Sequence, residues 1–315
     1  MRSKIVVTGG AGFIGSYLVE ALLDRGFRVV VVDNFSEGRM SNLDGCRGNP
    51  RLEIARMDVR DPRITRVLRG TAAVYHLAAL VGVQGSLVDP KKVNDVNVDG
   101  TLNLLMTSEQ NKVDRLVYAS SAAVYGFNRN RVQKETMSPS PATPYAISKL
   151  TAETYCRFFH ENHGLNTVSL RFFNVYGPRQ RLSPYSSVIT SFVSRIVKRK
   201  PPVVFGDGEQ TRDFVFVSDV VQALLLSLES ERAIGKTINV GTGNFTSING
   251  LARSIIHLLG DKPFSIVRRP ARKGDIRHSC ADVTLARESL GYRPKVKLND
   301  GLRTTLGLLD REARL

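Results

Sequence analysis

A short apolar run, Ile5-Val6-Val7, leads into Thr8-Gly9-Gly10-Ala11-Gly12-Phe13-Ile14-Gly15, and a helix-spaced apolar series follows at once. This strand, glycine loop and helix in direct succession restrict the fold more than any other segment. The glycines permit a tight turn and let backbone N–H groups approach a pyrophosphate at a helix N-terminus. Phe13, Ile14, Tyr17, Leu18, Ala21 and Leu22 then recur at helical spacing. Val29–Val32 is a continuous β-branched run, the mark of a strand buried on both faces and hence of a parallel sheet. Leu52–Ala55, Ala72–Leu77, Arg115–Ala119 and Val168–Phe172 repeat the theme, separated by helix-like segments such as 97–110. The expectation is an α/β fold: a Rossmann-type doubly wound parallel sheet.

The pattern loosens after about residue 174, where Gly177-Pro178, Pro184, Pro201-Pro202 and Gly206-Asp207-Gly208 punctuate short elements. Val220–Leu228 reads as a helix returning to the first domain and Thr237–Val240 as its last strand. The expected division is therefore a dinucleotide-binding domain over 1–173, rejoined at about 214–242. A smaller α/β substrate-binding lobe is expected over 174–213 and 243–315.

The 315 residues, 42% hydrophobic, suffice for a sizeable core. No apolar run approaches the ~18–20 residues of a membrane helix, and Met1-Arg2-Ser3 leaves no room for a signal peptide before the first strand. Three widely spaced cysteines, Cys46, Cys156 and Cys280, show neither disulfide-framework nor metal-ligand spacing, so a reduced cytoplasmic setting without a metal is expected. The net charge of +16 admits three readings: a solvated basic surface, attraction of a polyanionic small substrate, or nucleic acid binding. No RNA-binding signature, zinc spacing or aromatic-interleaved basic tract supports the last.

Asp33 ends the second expected strand, 24 residues after Gly9. A carboxylate there can accept hydrogen bonds from an adenosine ribose and would repel a 2′-phosphate, which favours NAD over NADP. Arg39 is close enough in sequence to keep a phosphate in play. Tyr145 and Lys149 stand four apart on a helix whose first turn carries Pro144, so both project from one face. A free phenol of pKa about 10 is only about 0.1% ionised near neutrality. Lowering it by about three units requires about 4 kcal/mol of differential interaction, which a lysine ammonium and an oxidised nicotinamide are suited to supply. Tyr145 could then take a proton from a substrate hydroxyl. Ser121, at the end of a central strand, could bond the reacting oxygen; Ser120 is the alternative. The two residues after Ser121 are Ala122 and Ala123, which cannot act as acids.

Taken together these motifs resemble the extended short-chain dehydrogenase/reductases, specifically the nucleotide-sugar epimerase/dehydratase family, over nearly the full length. The resemblance places Gly9, Gly12, Phe13, Ile14 and Gly15 in the cofactor loop, Asp33, Asn34 and Ser36 at the adenosine ribose, and Asp58 and Val59 at the adenine. It places Leu77, Ala78, Ala79 and Asn97 along the NAD, and Phe173 near its nicotinamide, with Tyr145 and Lys149 also touching the cofactor. Ser121, Tyr145 and Lys149 fall on the catalytic positions. Asn174, Arg212, Arg272 and Asp275 fall where the family holds a nucleotide-sugar diphosphate and its nucleoside ribose. Val188, Phe205 and Ser279 complete the implied substrate pocket. Arginine suits the diphosphate because its fork matches phosphate oxygens.

The 4,6-dehydratases of this family carry Asp and Glu just after the catalytic Ser or Thr, and its decarboxylases tend to carry Glu in that stretch. Ala122 and Ala123 supply neither, so the resemblance points to a 4-epimerase of a UDP-hexose acting through a transient 4-keto sugar. Ser279, small where narrow-pocket relatives carry tyrosine, leans toward N-acetylated sugars. Two departures stand out: Phe172 where many relatives have tyrosine, and Val81 where some galactose epimerases have lysine. The alternatives are a uronate 4-epimerase, a reductase or a decarboxylase of the same family, or a non-catalytic NAD-sensing or nucleic-acid-binding protein. The resemblance also implies a homodimer formed by the helices near 97–110 and 145–162 in a four-helix bundle.

Overall fold

The computed structural model describes residues 3–127, 130–180, 187–259, 265–271 and 276–313, with the backbone alone at 83–84 and 308–313. Its centre is a seven-stranded sheet of β1 (Lys4–Thr8), β2 (Arg28–Asp33), β3 (Leu52–Arg56), β4 (Thr71–His76), β5 (Arg115–Ser121), β6 (Thr167–Phe172) and a late strand, Thr237–Val240. Four short strands intervene: β7 (Asn174–Tyr176), β8 (Val203–Phe205), β9 (Thr211–Arg212) and β10 (Phe214–Phe216). The late strand is therefore β11, and the sheet order is β11-β6-β5-β4-β1-β2-β3. Every pairing in it is parallel.

Alternation along these strands divides the apolar side chains between two faces. Val7, Val31 and Val117 pack with Leu18 and Leu22 of helix Phe13–Asp24 and with Val220 and Leu224 of helix Val217–Glu229. Val6, Val30, Val74, Leu116 and Tyr118 pack instead with Ile64, Leu104, Leu105, Ala152 and Cys156 from helices on the opposite face. Both faces are covered, so the valine runs are buried throughout, as a doubly wound sheet requires. Truncating a fully buried leucine such as Leu22 or Leu224 to alanine costs about 2–5 kcal/mol.

Helix Pro144–His163, which carries Tyr145 and Lys149, has clear start and stop signals. The Thr143 side chain accepts from Ala146 N at 3.2 Å, Pro144 fills the first turn, and Gly164 ends it in the left-handed conformation. The helix expected over 97–110 is more complex. Helix Pro90–Asn94 passes through a wide π turn at Asp95–Asp99 into helix Gly100–Gln110.

A second core forms from Ile189, Phe192, Val193 and Ile196 with Leu251, Ile255, Leu302 and Leu306, together with Tyr176, Val204 and Phe214. Around it lie three small sheets. β10 pairs β7 in parallel; β9 lies between β12 (Thr246–Ser247) and β14 (His278–Ser279); β8 pairs β13 (Val267–Arg269). Helix Thr284–Leu290 belongs elsewhere: its Ala286 and Leu290, with Tyr292, join the core of the large sheet. The Tyr292 hydroxyl donates to Gly241 O at 3.0 Å, fixing that return. No helix among the described residues is long and apolar enough to cross a membrane.

Candidate active site

The sheet order reverses between β1 and β4, so their carboxyl ends open a crevice where ligands of open α/β sheets bind. The glycine loop fills one side of it. Gly9 has φ +69°, and a Cβ there would lie 2.7 Å from Ala78 N; a Cβ on Gly15 would lie 2.2 Å from Gly9 O. The loop can therefore sit against β4 and the helix against the loop only with glycine at both positions. Helix Phe13–Asp24 has no side-chain cap and no acid in its first turn, which leaves its N-terminal amides available to an anion. Ile14 is half-buried against the first core.

Asp33 ends β2, almost buried. Its carboxylate accepts from Ala11 N at 3.0 Å and Phe35 N at 2.8 Å, so it also holds the glycine loop in place. Burial pushes its carboxyl upward, against those two donors. Arg39 reaches the same loop, donating its N–H to Ala11 O at 3.0 Å. Asn34 donates to Asp58 at 2.9 Å and accepts from Ser36 N at 3.0 Å. Asp58 also pairs with Arg60 at 2.8 Å, and that arginine holds its carboxyl down at about 2. Val59 O accepts from Asn103 at 2.7 Å.

A hydrogen-bonded chain joins these parts beneath the crevice. Thr101 Oγ1 donates to Asn97 O at 2.6 Å, so it accepts from His76 Nε2 at 2.9 Å. That assigns the proton to Nε2 and leaves His76 Nδ1 to accept from Thr8 Oγ1 at 2.8 Å. Thr8 in turn accepts from Ala78 N, and Leu77 N donates to Thr8 O. Burial, reinforced by Lys149, pushes His76 down to about 3, so it stays neutral. Ala79 is half-buried beside them. Asn97, inside the π turn, accepts from Leu80 N and donates to Leu80 O and to Ser148 Oγ at 3.0 Å. The cofactor crevice is thereby tied to the residue preceding Lys149.

Ser121, Tyr145 and Lys149 converge from β5 and the Pro144–His163 helix. The Ser121 side chain lies beside the Tyr145 phenol and works against the burial that pushes it up. Ser121 Oγ accepts from Ala123 N at 3.2 Å, opening the 3-10 turn Ala122–Tyr125. Lys149 Nζ donates to Ala119 O at 2.8 Å and lies 4.9 Å above the Tyr118 ring. Ser120, the alternative to Ser121, points to the other side and donates to Glu153. The downward-shifted phenol expected from the sequence is thus not a property of the protein groups alone.

The remaining residues flank this centre. Phe173 is buried beside Tyr125, ring centroids 6.4 Å apart, with its N–H on Val240 O. Asn174 donates from both its backbone and its side chain to Asp213 O, at 2.9 and 3.3 Å. Arg212 stands between Thr246 and Ser279 in register and donates to Thr211 O at 2.8 Å. Phe205 ends β8, its carbonyl accepting from Gln210 at 2.8 Å. Val188 opens helix Val188–Val197 and packs on the second core. Arg272 and Asp275 lie outside the described residues. Phe172, a departure from many relatives, is buried in the first core. Two features escaped the sequence: the Glu153–Arg171 pair, and Asp213, fully buried and accepting from Thr242, Gly243 and Ala281. For Glu153 the available signal was its position one helical turn beyond Lys149.

A family model described as GDP-mannose 4,6 dehydratase matches residues 6–305. The UDP-glucose 4-epimerase of Mycolicibacterium smegmatis is 37% identical over 306 residues, covering 96% of this chain and 97% of that protein. UDP-glucuronic acid decarboxylase 1 of Arabidopsis thaliana is 37% identical over 307 residues, covering 96% of this chain and 68% of the plant protein. The UDP-N-acetylglucosamine 4-epimerase of Methanobrevibacter ruminantium, solved with UDP-N-acetylmuramic acid, superposes with a TM-score of 0.94 at 39% identity, covering 99% of each chain. The UDP-glucose 4-epimerase of Thermus thermophilus, solved with NAD, gives 0.87 at 36% identity over 96% of this chain and 98% of that one. The uncapped helix, the glycine contacts and the Asp33 carboxylate fit NAD as the cofactor. This chain belongs to the extended short-chain dehydrogenase/reductases, in the family of NAD-dependent nucleotide-sugar epimerases and dehydratases.

Proposed function

We propose that this enzyme is a UDP-hexose 4-epimerase. The observation that carries the reading is the turn beginning at Ala122. The Ser121 hydroxyl lies beside the Tyr145 phenol, and the two residues that follow Ser121 are alanines. Elimination of water needs an acid and a base at that point, and Ala122 and Ala123 offer neither. Glu153, the carboxylate in the adjoining layer, is already engaged by Arg171 and Ser120.

Bound NAD supplies a reversible hydride acceptor at the sugar's C4. Asp33, Asn34, Ser36, Asp58 and Val59 would hold its adenosine end. Gly9, Gly12, Phe13, Ile14 and Gly15 would hold its pyrophosphate, and Leu77, Ala78, Ala79, Asn97, Lys149 and Phe173 the rest. Tyr145 takes the proton of the 4-hydroxyl, with Ser121 bonding the same oxygen. The Lys149 ammonium and the cationic nicotinamide lower the phenol to where it can act as a base. Tyr145 later returns the proton to the opposite epimer. Asn174, Arg212, Arg272 and Asp275 anchor the diphosphate and nucleoside while the sugar turns over, and Val188 and Phe205 line the nucleotide.

The register pair Ser279–Arg212 places a small residue beside the proposed diphosphate anchor, which favours room for an N-acetylated sugar. The second core serves as the substrate lobe, with helix Thr284–Leu290 assigned to the large sheet. Met106, Ile147 and Phe158 are exposed on helices Gly100–Gln110 and Pro144–His163, which supports a homodimer through those helices. Equilibrium sedimentation of the wild type and of Ile147→Glu would test it.

Incubation with UDP-galactose and UDP-N-acetylgalactosamine, without added reductant, should yield the 4-epimers at unchanged mass. Tyr145→Phe should abolish the conversion while retaining NAD. Turnover only of a UDP-uronic acid with loss of carbon dioxide would replace this reading with the decarboxylase one.

A further inference from the structure

Between helix Pro144–His163 and the sheet lies a buried charge cluster that the chemistry above does not use. Ser120 and Arg171 are register partners on β5 and β6, and both turn toward the helix. Glu153 receives them. Its carboxylate accepts from Ser120 Oγ, from Arg171 Nε at 2.9 Å and from Arg171 Nη2 at 2.8 Å. Glu153 and Arg171 are each 5% exposed. The guanidinium also lies over the Tyr125 ring, 4.7 Å from its centroid, and the Tyr125 hydroxyl donates to Asn239 at 2.7 Å. A buried ion pair is poor value as a stabilising device, because desolvation consumes most of the attraction. Its place in the fold suggests another use.

Glu153 follows Lys149 by one helical turn, on the same face. Lys149 is 3% exposed, held by Ala119 O and the Tyr118 ring. Burial pushes it down to about 8, with Glu153 foremost among the groups pulling the other way. The other titratable groups around it offer no counter-charge near neutrality. From its own helix, burial pushes Cys156 up to about 12 and Tyr145 upward. Tyr118 from β5 is raised by burial as well, and His76 from β4 is neutral. Arg171, from β6, is a cation neutralised through Glu153 itself. Among these groups Glu153 supplies the anion.

We propose that Glu153 is a positioning residue that keeps the Lys149 amine protonated, with Arg171 and Ser120 fixing where its carboxylate stands. The consequence rests on the reading that a charged Lys149 assists Tyr145. Without the Glu153 charge, Lys149 would release its proton at lower pH, and the alkaline limb of turnover would move down with it.

The test follows the amine directly. NAD-loaded protein carrying 13Cε-labelled lysine is titrated by NMR, with Lys149→Met identifying the Lys149 resonance. In Glu153→Gln the Lys149 midpoint should fall, leaving about tenfold more neutral amine at a given pH, as expected for loss of an opposite charge about one helical turn away. Glu153→Asp should restore the wild-type midpoint. The alkaline limb of kcat should shift with the midpoint while KM stays constant. Should Glu153→Gln not fold, the double variant Glu153→Gln/Arg171→Met removes the anion and the cation together. The Lys149 midpoint should then fall in the same direction by a smaller amount, because Glu153 is the nearer of the two charges on the Lys149 face of the helix. An unchanged Lys149 midpoint overturns the proposal. So does failure of both variants to fold, which would assign the pair to structure. The titration needs no sugar. A wild type that epimerises neither UDP-sugar therefore removes the functional reading and leaves this inference to be decided separately.

Discussion

Replacing Lys149 with methionine should abolish turnover and yet stabilise the ligand-free protein at neutral pH. The buried ammonium has a pKa of about 8 against an ordinary 10.5. A difference of about 2.5 units is worth about 3 kcal/mol. The sign follows from proton linkage. Below about pH 8 both folded and unfolded chains hold the proton, and the folded state bears the full cost of burying it. Between about 8 and 10.5 the folded chain releases the proton first, the unfolded chain binds more, and stability rises with pH. Lys149→Met removes this dependence. It also loses the hydrogen bond to Ala119 O and the contact with the Tyr118 ring, together worth about 1–2 kcal/mol. The variant should therefore be more stable than the wild type by about 1–2 kcal/mol at pH 7. The two should converge as pH rises and exchange order by about pH 11. Urea denaturation of the NAD-free proteins across this range measures the difference, in which the other titrating groups largely cancel. A difference that stays flat with pH would refute the argument, whatever its value at pH 7.

Gly15→Ala forces a Cβ to 2.2 Å from Gly9 O and 2.8 Å from Gly10 Cα, both backbone. The protein should purify without nucleotide and bind added NAD at least about tenfold more weakly by calorimetry, a loss of about 1.4 kcal/mol or more. Asp33→Ala deprives Ala11 N and Phe35 N of their acceptor and removes the carboxylate facing the crevice. Its NAD affinity should fall and its preference for NAD over NADP should narrow, as competition between the two would show. Arg115→Met strips three carbonyls at the end of helix Val217–Glu229 of a shared donor, together with the Glu231 pair at 2.6 Å. Folding should lose about 2–3 kcal/mol in urea with NAD affinity unchanged.

The strands of the large sheet are legible because each is a local apolar run, and β1, β2 and β5 lie within two residues of where those runs place them. The tyrosine helix is equally local: Thr143, Pro144 and Gly164 write its ends. What resists reading is pairing across distance. β9 and β14 are two residues long, and the register of Arg212 with Ser279 spans 67 positions with no periodic signal at either end. Helix Thr284–Leu290 reads as part of the second lobe by chain order, but its apolar residues settle on the large sheet. In the candidate site the glycine loop, Asp33, Ser121, Tyr145 and Lys149 follow from motif and spacing. The charge cluster does not, because Ser120 and Arg171 become neighbours only once β5 and β6 align.

Asp213 also constrains how the molecule can move. Its carboxylate accepts from Thr242, Gly243 and Ala281, and its carbonyl accepts from Asn174. The chain passes between the large sheet and the second core at each of those places. One residue therefore gathers three crossings at a single point, after β6, β11 and β14. Sliding of the second core over the sheet would break several of these bonds together, whereas rotation about Asp213 can preserve them. A swing about Asp213 is accordingly the opening of the crevice that these bonds favour. In such a swing the parts farthest from Asp213 would travel most, and the neighbouring Arg212 and Asn174 least.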